Sequence, residues 1–306
     1  MTSPAPGKRA LVTGATGYLG SHLVAGLLGR GWQVHVLTRR QADMTLLRQL
    51  LGRVTVHEHD GTTGGMLELM SSARPDVVFH LASLFLARHQ PDDVQALVSS
   101  NVLFGTQLAE AMARCGVRHL VNTGTSWQHY GNEQYNPVNL YAATKQAFED
   151  ILAFYCDAEA LNVTTLVLFD TYGPGDPRRK IIPMLWRAAL TQEPLMMSPG
   201  EQFVDFVYVT DVVEAFVHAA EHLLRQPGGH RRYGISSGQP MRLLDLVQAF
   251  RQATGLPLPV TFGGLGYRPR EVMVPWADYE KLPGWCARVA FDVGIRQARP
   301  SLDSDA

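Results

Sequence analysis

The chain has 306 residues, 46% of them hydrophobic and 18% charged, with a formal net charge of -1. That length suits one large α/β domain or a nucleotide domain with a smaller lobe, and the apolar share is enough for a substantial core. The charge balance excludes a basic nucleic-acid surface. No basic amphipathic stretch, and no apolar run of the roughly 20 residues that a bilayer requires, points to a membrane.

Cys115, Cys156 and Cys286 are odd in number and widely spaced. They fit reduced thiols better than a disulfide framework or a zinc site, so no metal is expected. The first nine residues lack the apolar stretch of a signal peptide, which together with the thiols predicts a soluble cytoplasmic protein. The Pro/Gly-rich first seven residues and the polar tail 301–306 read as loose ends.

Taken in chain order, apolar runs at 9–13, 33–37, 54–57, 76–80, 118–122 and 163–169 predict strands. Helical spacing at 17–28, 44–51, 66–72, 94–115 and 141–160 alternates with them. Such alternation predicts right-handed βαβ units and a parallel sheet covered on both faces. After Phe169, Pro and Gly cluster, and helical patterns continue at 181–189, 211–224 and 243–254. The expected fold is α/β, a Rossmann-type doubly wound parallel sheet with a smaller C-terminal substrate-binding lobe. The nucleotide domain is expected over 1–169, with 203–235 returning to it through strands at 205–209 and 232–235. The lobe then comprises 170–202 and 236–306.

The first strand leads into Gly14-Ala-Thr16-Gly17-Tyr18-Leu19-Gly20, which opens the first helix. Glycines in such a turn permit a tight bend, close approach of a pyrophosphate and close helix–strand packing. The helix N-terminus offers unpaired N–H groups and partial positive charge to phosphates. Glycine trios also serve purely structural turns; the strand–turn–helix setting is what marks this one as a dinucleotide site. At the end of the second strand, where an NAD site carries an acidic residue, the chain reads Thr38-Arg39-Arg40. Two guanidinium groups suit the 2′-phosphate of NADPH/NADP, against the plainer reading of a solvated basic turn.

Tyr141-Ala-Ala-Thr-Lys145 begins a predicted helix, and positions four apart share a face, so phenol and ammonium can point into one cleft. A ketone accepting hydride needs a proton, and a nearby cation makes tyrosine a better acid. Alone, the pair would read as a solvated helix face.

The Gly-x-x-Gly-x-x-Gly spacing resembles the short-chain dehydrogenase/reductase superfamily. The resemblance implies Tyr141 as acid/base, Lys145 as the cation that lowers its pKa and holds the nicotinamide ribose, and a hydroxyl after strand five for the substrate oxygen. In Asn122-Thr123-Gly-Thr125-Ser126-Trp127, counting from the strand selects Thr125, and counting back from Tyr130-Gly131 selects Ser126. Thr125 is preferred as the catalytic hydroxyl, Ser126 as the turn cap. Thr123 is placed with the cofactor, and Ser126 and Trp127 with the substrate. His59-Asp60-Gly61 resembles the segment whose Asp faces the adenine. His80-Leu81-Ala82-Ser83 resembles the strand-four segment beside the cofactor, and Asn101-Val-Leu-Phe-Gly105-Thr106 the family's Asn-Val-x-Gly-Thr helix. Singly, Asp60 reads as a turn residue, His80 as a core histidine and Asn101 as a helix cap.

Three later segments resemble the extended branch, the sugar-nucleotide epimerases, dehydratases and reductases: Phe169-Asp170-Thr-Tyr172-Gly173-Pro174, Asp205-Phe-Val-Tyr-Val209-Thr-Asp211 and Tyr267-Arg268-Pro-Arg270-Glu271. Asp170 replaces the branch's usual Asn, and Val204 stands where a diphosphate-binding Arg often precedes Asp205. Anion binding is therefore expected of Arg268 and Arg270, and of Arg178 or Arg179, with Asp170 and Glu271 beside the substrate. Ser126 and Trp127 replace the acidic pair of a dehydratase, which argues against that reaction. Within the branch, the segments around Trp127, Tyr141 and Tyr172 look most like the CDP-paratose and CDP-abequose synthases. That implies NADPH-dependent reduction of the C4 ketone of a nucleoside-diphosphate 4-keto-6-deoxysugar. The alternatives are a nucleotide-sugar 4-epimerase with tightly bound NAD(P), which uses the same residues, and a non-catalytic NADP(H)-sensing or scaffold protein, against which the Tyr141/Lys145 pair argues. The branch commonly forms homodimers through the helix pair that is here 94–115 and 141–160, although apolar faces there are equally expected of core packing.

Overall fold

In β1 (Arg9–Thr13), Ala10 and Val12 pack into one hydrophobic layer and Leu11 into the opposite one. Side chains alternate along a strand, so a strand apolar at every position is covered on both faces. The computed structural model describes residues 7–300; of the two ends read as loose, 1–6 and 301–306 lie outside the described residues.

The chain continues through α1 (Tyr18–Gly29), β2 (Gln33–Arg39), a 3-10 segment (Thr45–Arg53), β3 (Val54–His59), α2 (Thr63–Ala73) and β4 (Val77–His80). It then forms α3 (Asp93–Val98), α4 (Phe104–Arg114), β5 (His119–Thr125), α5 (Leu140–Glu159), β6 (Asn162–Leu168) and β7 (Asp170–Tyr172). Next come α6 (Ile181–Thr191), β8 (Leu195–Met196), β9 (Phe203–Val204), β10 (Phe206–Tyr208), α7 (Val209–Arg225) and β11 (His230–Ile235). β12 (Met241–Arg242), α8 (Leu243–Thr254), β13 (Val260–Thr261) and α9 (Phe291–Gln297) complete it.

Seven strands form one parallel sheet in the order β11-β6-β5-β4-β1-β2-β3. α1 and α7 cover one face through Leu23, Leu27, Val212 and Phe216. α2, α4 and α5 cover the other through Met66, Leu108, Met112, Phe148 and Leu152. This is the Rossmann-like arrangement expected, and it gathers the C-terminal ends of the strands along one crevice, where such sheets bind ligands. A third core of Leu185, Trp186, Leu246, Phe250 and Ile295 joins α6, α8 and α9.

Two details differ from expectation. The segment 205–209 does not return to the large sheet; β10 pairs with β7 in a separate two-stranded ribbon, because β11 already occupies the edge beside β6. The helix expected over 94–115 is interrupted by a π turn, Ser99–Leu103, between α3 and α4. Such widened turns frequently mark functional positions, and here the turn contains the buried Asn101. Among the described residues no helix is long and apolar enough to cross a membrane.

Candidate active site

The turn between β1 and α1 has no room for side chains. Gly14 has φ +69°, and a Cβ there would lie 2.5 Å from the Ala82 nitrogen; one on Gly20 would lie 2.1 Å from the Gly14 carbonyl oxygen. Gly17 caps α1 without a side-chain hydrogen bond, so the N–H groups of Tyr18, Leu19 and Gly20 have no partner in the helix. A backbone-lined cradle with open donors fits a dinucleotide pyrophosphate. Thr16 is half-buried at its rim. The Tyr18 side chain is buried elsewhere, its ring 4.5 Å from the Arg178 guanidinium, so only its backbone serves the cradle. Arg39 and Arg40 are exposed at the end of β2.

The Asp60 carboxylate accepts from the backbone N–H and the hydroxyl of Thr62, each at 2.8 Å, which holds its pKa below the usual carboxylate range. With Gly61 at φ +91°, these contacts are those of a turn residue. Leu81 and Ala82 form the wall against Gly14, and the Ala82 N–H donates to Thr13 Oγ1 at 3.2 Å. Thr123 donates to the His80 carbonyl at 2.9 Å.

Asn101 corrects an expectation. Its Oδ1 accepts from Ser83 Oγ at 3.1 Å and the Leu84 N–H at 2.7 Å. Its Nδ2 donates to the Leu84 carbonyl at 3.0 Å and Thr144 Oγ1 at 2.9 Å. A side-chain amide has two donors and two acceptor sites, so none is left for a cofactor. Asn101 instead ties the loop after β4 to α5.

Helix α5 starts at the Asn139 N-cap, whose Oδ1 accepts the Ala142 N–H at 3.0 Å, and presents Tyr141 and Lys145 in its first turns. Burial pushes the Tyr141 phenol up to about 12, while hydrogen bonding from the Ser83 and Thr125 hydroxyls acts the other way. The hydroxyls, rather than the expected Lys145 ammonium, are the groups that oppose the rise. Lys145 is 2% exposed, and burial lowers its pKa to about 8 against the pull of Glu149. Thr125 ends β5 and caps the short 3-10 turn of Ser126–Gln128, its Oγ1 accepting the Trp127 N–H at 3.3 Å. The turn cap is thus Thr125, where Ser126 was expected.

Beside this cluster opens a cavity of ≈ 370 Å³ between the sheet and the C-terminal segments. Ser126, Trp127, Asp170, Arg179, Arg268 and Glu271, six of the residues proposed from the sequence to meet the substrate, line it. Arg268 is forked onto Glu271 at 2.6 and 2.9 Å and lies 5.2 Å from the Trp127 ring. Two expected arginines are not in the wall. Arg178 spends its donors on Asp176, at 2.7 and 2.8 Å, and on the Thr171 carbonyl at 2.8 Å. Arg270 donates to Asn136 Oδ1 and stacks 4.3 Å from the Tyr130 ring.

Phe85 and Lys180 also line the cavity, and the sequence reading missed both. Phe85 stands edge-on to Tyr141, with ring centroids 5.0 Å apart, and 5.5 Å from Trp127. The Lys180 ammonium lies 4.6 Å from Phe85 and 5.8 Å from Trp127, and 3.4 Å from Asp170. Attraction to the ring faces holds such a cation at an apolar wall. The buried Gln128 and Glu149 and the half-buried Arg232 form a polar group near Lys145 that was missed as well. Only Glu149 carried a signal, four residues beyond Lys145 on one helical face.

Known proteins match most of the chain. The model of the NAD dependent epimerase/dehydratase family matches residues 10–234. A CDP-abequose synthase of Salmonella muenchen is 24% identical over 293 residues, spanning 95% of this chain and 96% of that protein. A UDP-glucose 4-epimerase of Mycolicibacterium smegmatis is 29% identical over 314 residues, spanning 94% and 96%. The solved structure of MoeE5 in complex with UDP-glucuronic acid and NAD superposes with a TM-score of 0.81 at 28% identity, covering 95% of this chain and 97% of that one. With a family model matched over more than half its length, the chain is a member of the NAD dependent epimerase/dehydratase family.

Proposed function

We propose that this protein reduces the C4 ketone of a nucleoside-diphosphate 4-keto-6-deoxysugar with NADPH. The reading rests chiefly on one observation: Tyr141, one helical turn before the buried Lys145, stands edge-on to Phe85 in the aromatic wall of the cavity. Bound NADPH supplies the hydride. The 14–20 turn takes its pyrophosphate, Arg39 and Arg40 take its 2′-phosphate, and Lys145 holds the nicotinamide ribose. A phenol pushed up to about 12 stays protonated at neutral pH, so Tyr141 is loaded to donate its proton to the carbonyl oxygen. Thr125 hydrogen-bonds and orients that oxygen. Arg179, Lys180 and Arg268 are the cations in the wall available to a diphosphate. Phe85, edge-on to Tyr141, and Trp127 beside Phe85 give this wall aromatic surface, which suits a sugar that has lost its 6-hydroxyl better than a fully hydroxylated one.

A homodimer through α3–α4 and α5 belongs to the same reading, supported by the exposed apolar side chains Val98, Leu103 and Phe154 on those elements. The second reading is a 4-epimerase, supported by the M. smegmatis relative and the MoeE5 likeness. In it Tyr141 removes a proton and returns it, with no net consumption of cofactor. Nicotinamide absorbance with purified protein, NADPH and a panel of CDP-, dTDP-, UDP- and GDP-4-keto-6-deoxysugars separates the two. Stoichiometric loss of NADPH with one sugar is the expected result; no loss with any of them, together with inversion at C4 of a UDP-hexose that carries a 4-hydroxyl and no net change in nicotinamide absorbance, replaces the ketoreductase with an epimerase.

A further inference from the structure

We infer that Glu149 is a positioning residue, a buried acidic group that supports the Lys145 ammonium from one helical turn away and, through Gln128, braces the Thr125 turn. The inference rests on the roles proposed above for Lys145 and Thr125. Glu149 and Lys145 lie one turn apart on α5, each 2% exposed, and Gln128 is fully buried. Gln128 Nε2 donates to Glu149 Oε1 at 2.8 Å, while its Oε1 accepts the Thr125 N–H, also at 2.8 Å. Arg232 of β11 places its Nε 2.8 Å from Glu149 Oε2. On β5, a Cβ at Gly124 would come within 3.1 Å of Glu149 Oε1, so the strand passes close against the carboxylate.

A carboxylate is costly to bury unless cations and hydrogen bonds meet it, and Glu149 lines neither the cradle nor the cavity. The ionisable groups around it leave few candidates for its role. α5 contributes Tyr141, Lys145 and the exposed Asp150; β11 contributes Arg232 and His230; the turn after β5 contributes His129, which accepts from Arg232 at 3.1 Å; β4 contributes His80. Burial lowers the three histidines to about 4, 4 and 3, so all are neutral at pH 7. The cations left facing Glu149 are Lys145 and Arg232. Burial raises the Glu149 pKa and Arg232 is the foremost group opposing that rise; a carboxylate there in turn opposes the loss of the Lys145 proton to burial.

The chain has only four lysines, Lys8, Lys145, Lys180 and Lys281, so protein labelled with 13C at lysine Cε gives a readable NMR titration. Lys145→Met assigns the signal. We expect a Lys145 midpoint near 8 in the wild type. Glu149→Gln should lower it by about one pH unit or more, and Glu149→Asp by a smaller amount, with the other three lysines unmoved. An unchanged Lys145 midpoint in whichever of these variants folds overturns the inference. The titration needs no substrate, so its outcome is independent of whether the ketoreductase assay succeeds. Where turnover is measurable, the alkaline limb of kcat/KM should move down with the Lys145 midpoint; a slower rate with an unmoved limb denotes mere structural damage and also overturns it.

Discussion

The Asn101 side-chain amide donates to the Thr144 hydroxyl at 2.9 Å, joining the π turn to the helix that carries Tyr141 and Lys145. The same side chain holds Ser83, whose hydroxyl bears on the Tyr141 phenol. Asn101→Leu therefore removes four hydrogen bonds at once and leaves the Leu84 N–H and carbonyl without their partner. We expect a loss of about 1–3 kcal/mol in denaturant unfolding, the cost of unpaired buried polar groups. Steady-state kinetics should show a fall in kcat with the NADPH KM nearly unchanged. A raised NADPH KM at unaltered stability would restore the direct cofactor contact that the motif suggested.

How far these positions were legible in the sequence depends on what decides them. The central strands were clear because burial on both faces writes a continuous apolar run, as in Ala10-Leu-Val12. The glycine turn was clear because only backbone fits between Gly14 and Ala82. Asn101 was visible as a motif, but its bonds to Leu84 and Thr144 were not, since those partners lie 17 and 43 residues away. Arg178 and Lys180 are near neighbours with similar charge, and nothing local tells them apart. Asp176 and the Thr171 carbonyl turn Arg178 away, while Phe85 and Asp170 hold Lys180 at the cavity. The strand at 205–209 was placed in the wrong sheet because competition for the edge beside β6 has no signature in a single segment.

Cofactor choice follows from the end of β2. Arg39 and Arg40 are exposed there, with no acidic residue between Val36 and Arg40 to take a ribose hydroxyl. Replacing both by Ala should weaken NADPH binding by about tenfold or more, since charge-assisted hydrogen bonds are among the stronger ones. NADH binding should hardly move, and the NADPH affinity of the wild type should fall with added salt. Fluorescence titration with both cofactors is the check. Equal affinities in the wild type would mean that the two guanidinium groups are only a solvated turn.

The candidate cations divide into two groups by where they lie. Arg268 and Lys180 line the cavity, whereas Arg178 and Arg270 are committed to other partners. Arg268→Ala and Lys180→Met should raise the KM for the nucleotide sugar by about tenfold, roughly one charge-assisted contact each. Arg178→Ala should act on stability instead, because it strips the cover from the buried Tyr18 ring and frees Asp176. Arg270→Ala should leave substrate KM near the wild-type value. Kinetics on the four variants with one substrate suffice, and a KM effect from Arg178 or Arg270 equal to that of Arg268 would contradict the assignment.

The pH dependence of reduction follows from Tyr141 at about 12 and Lys145 at about 8. Donation requires the phenol protonated, which holds throughout the neutral range. Turnover also requires the nicotinamide ribose to be held by the Lys145 ammonium, which is fully present well below pH 8 and lost as pH rises through it. Measured as kcat/KM, which reports the free enzyme, reduction should be level on the acid side of about 8 and decline towards tenfold per pH unit above it. The reverse reaction needs the phenol to accept a proton, so it should instead gain rate as pH rises from neutrality, until the loss of the ammonium limits it. Tyr141→Phe should cost about 10²–10⁴ in kcat, the usual worth of a positioned acid, with NADPH affinity preserved. Lys145→Met should lose both rate and the limb near pH 8. A limb that persists at the same pH in Lys145→Met belongs to another group, and the ammonium would then have no part in placing the nicotinamide ribose.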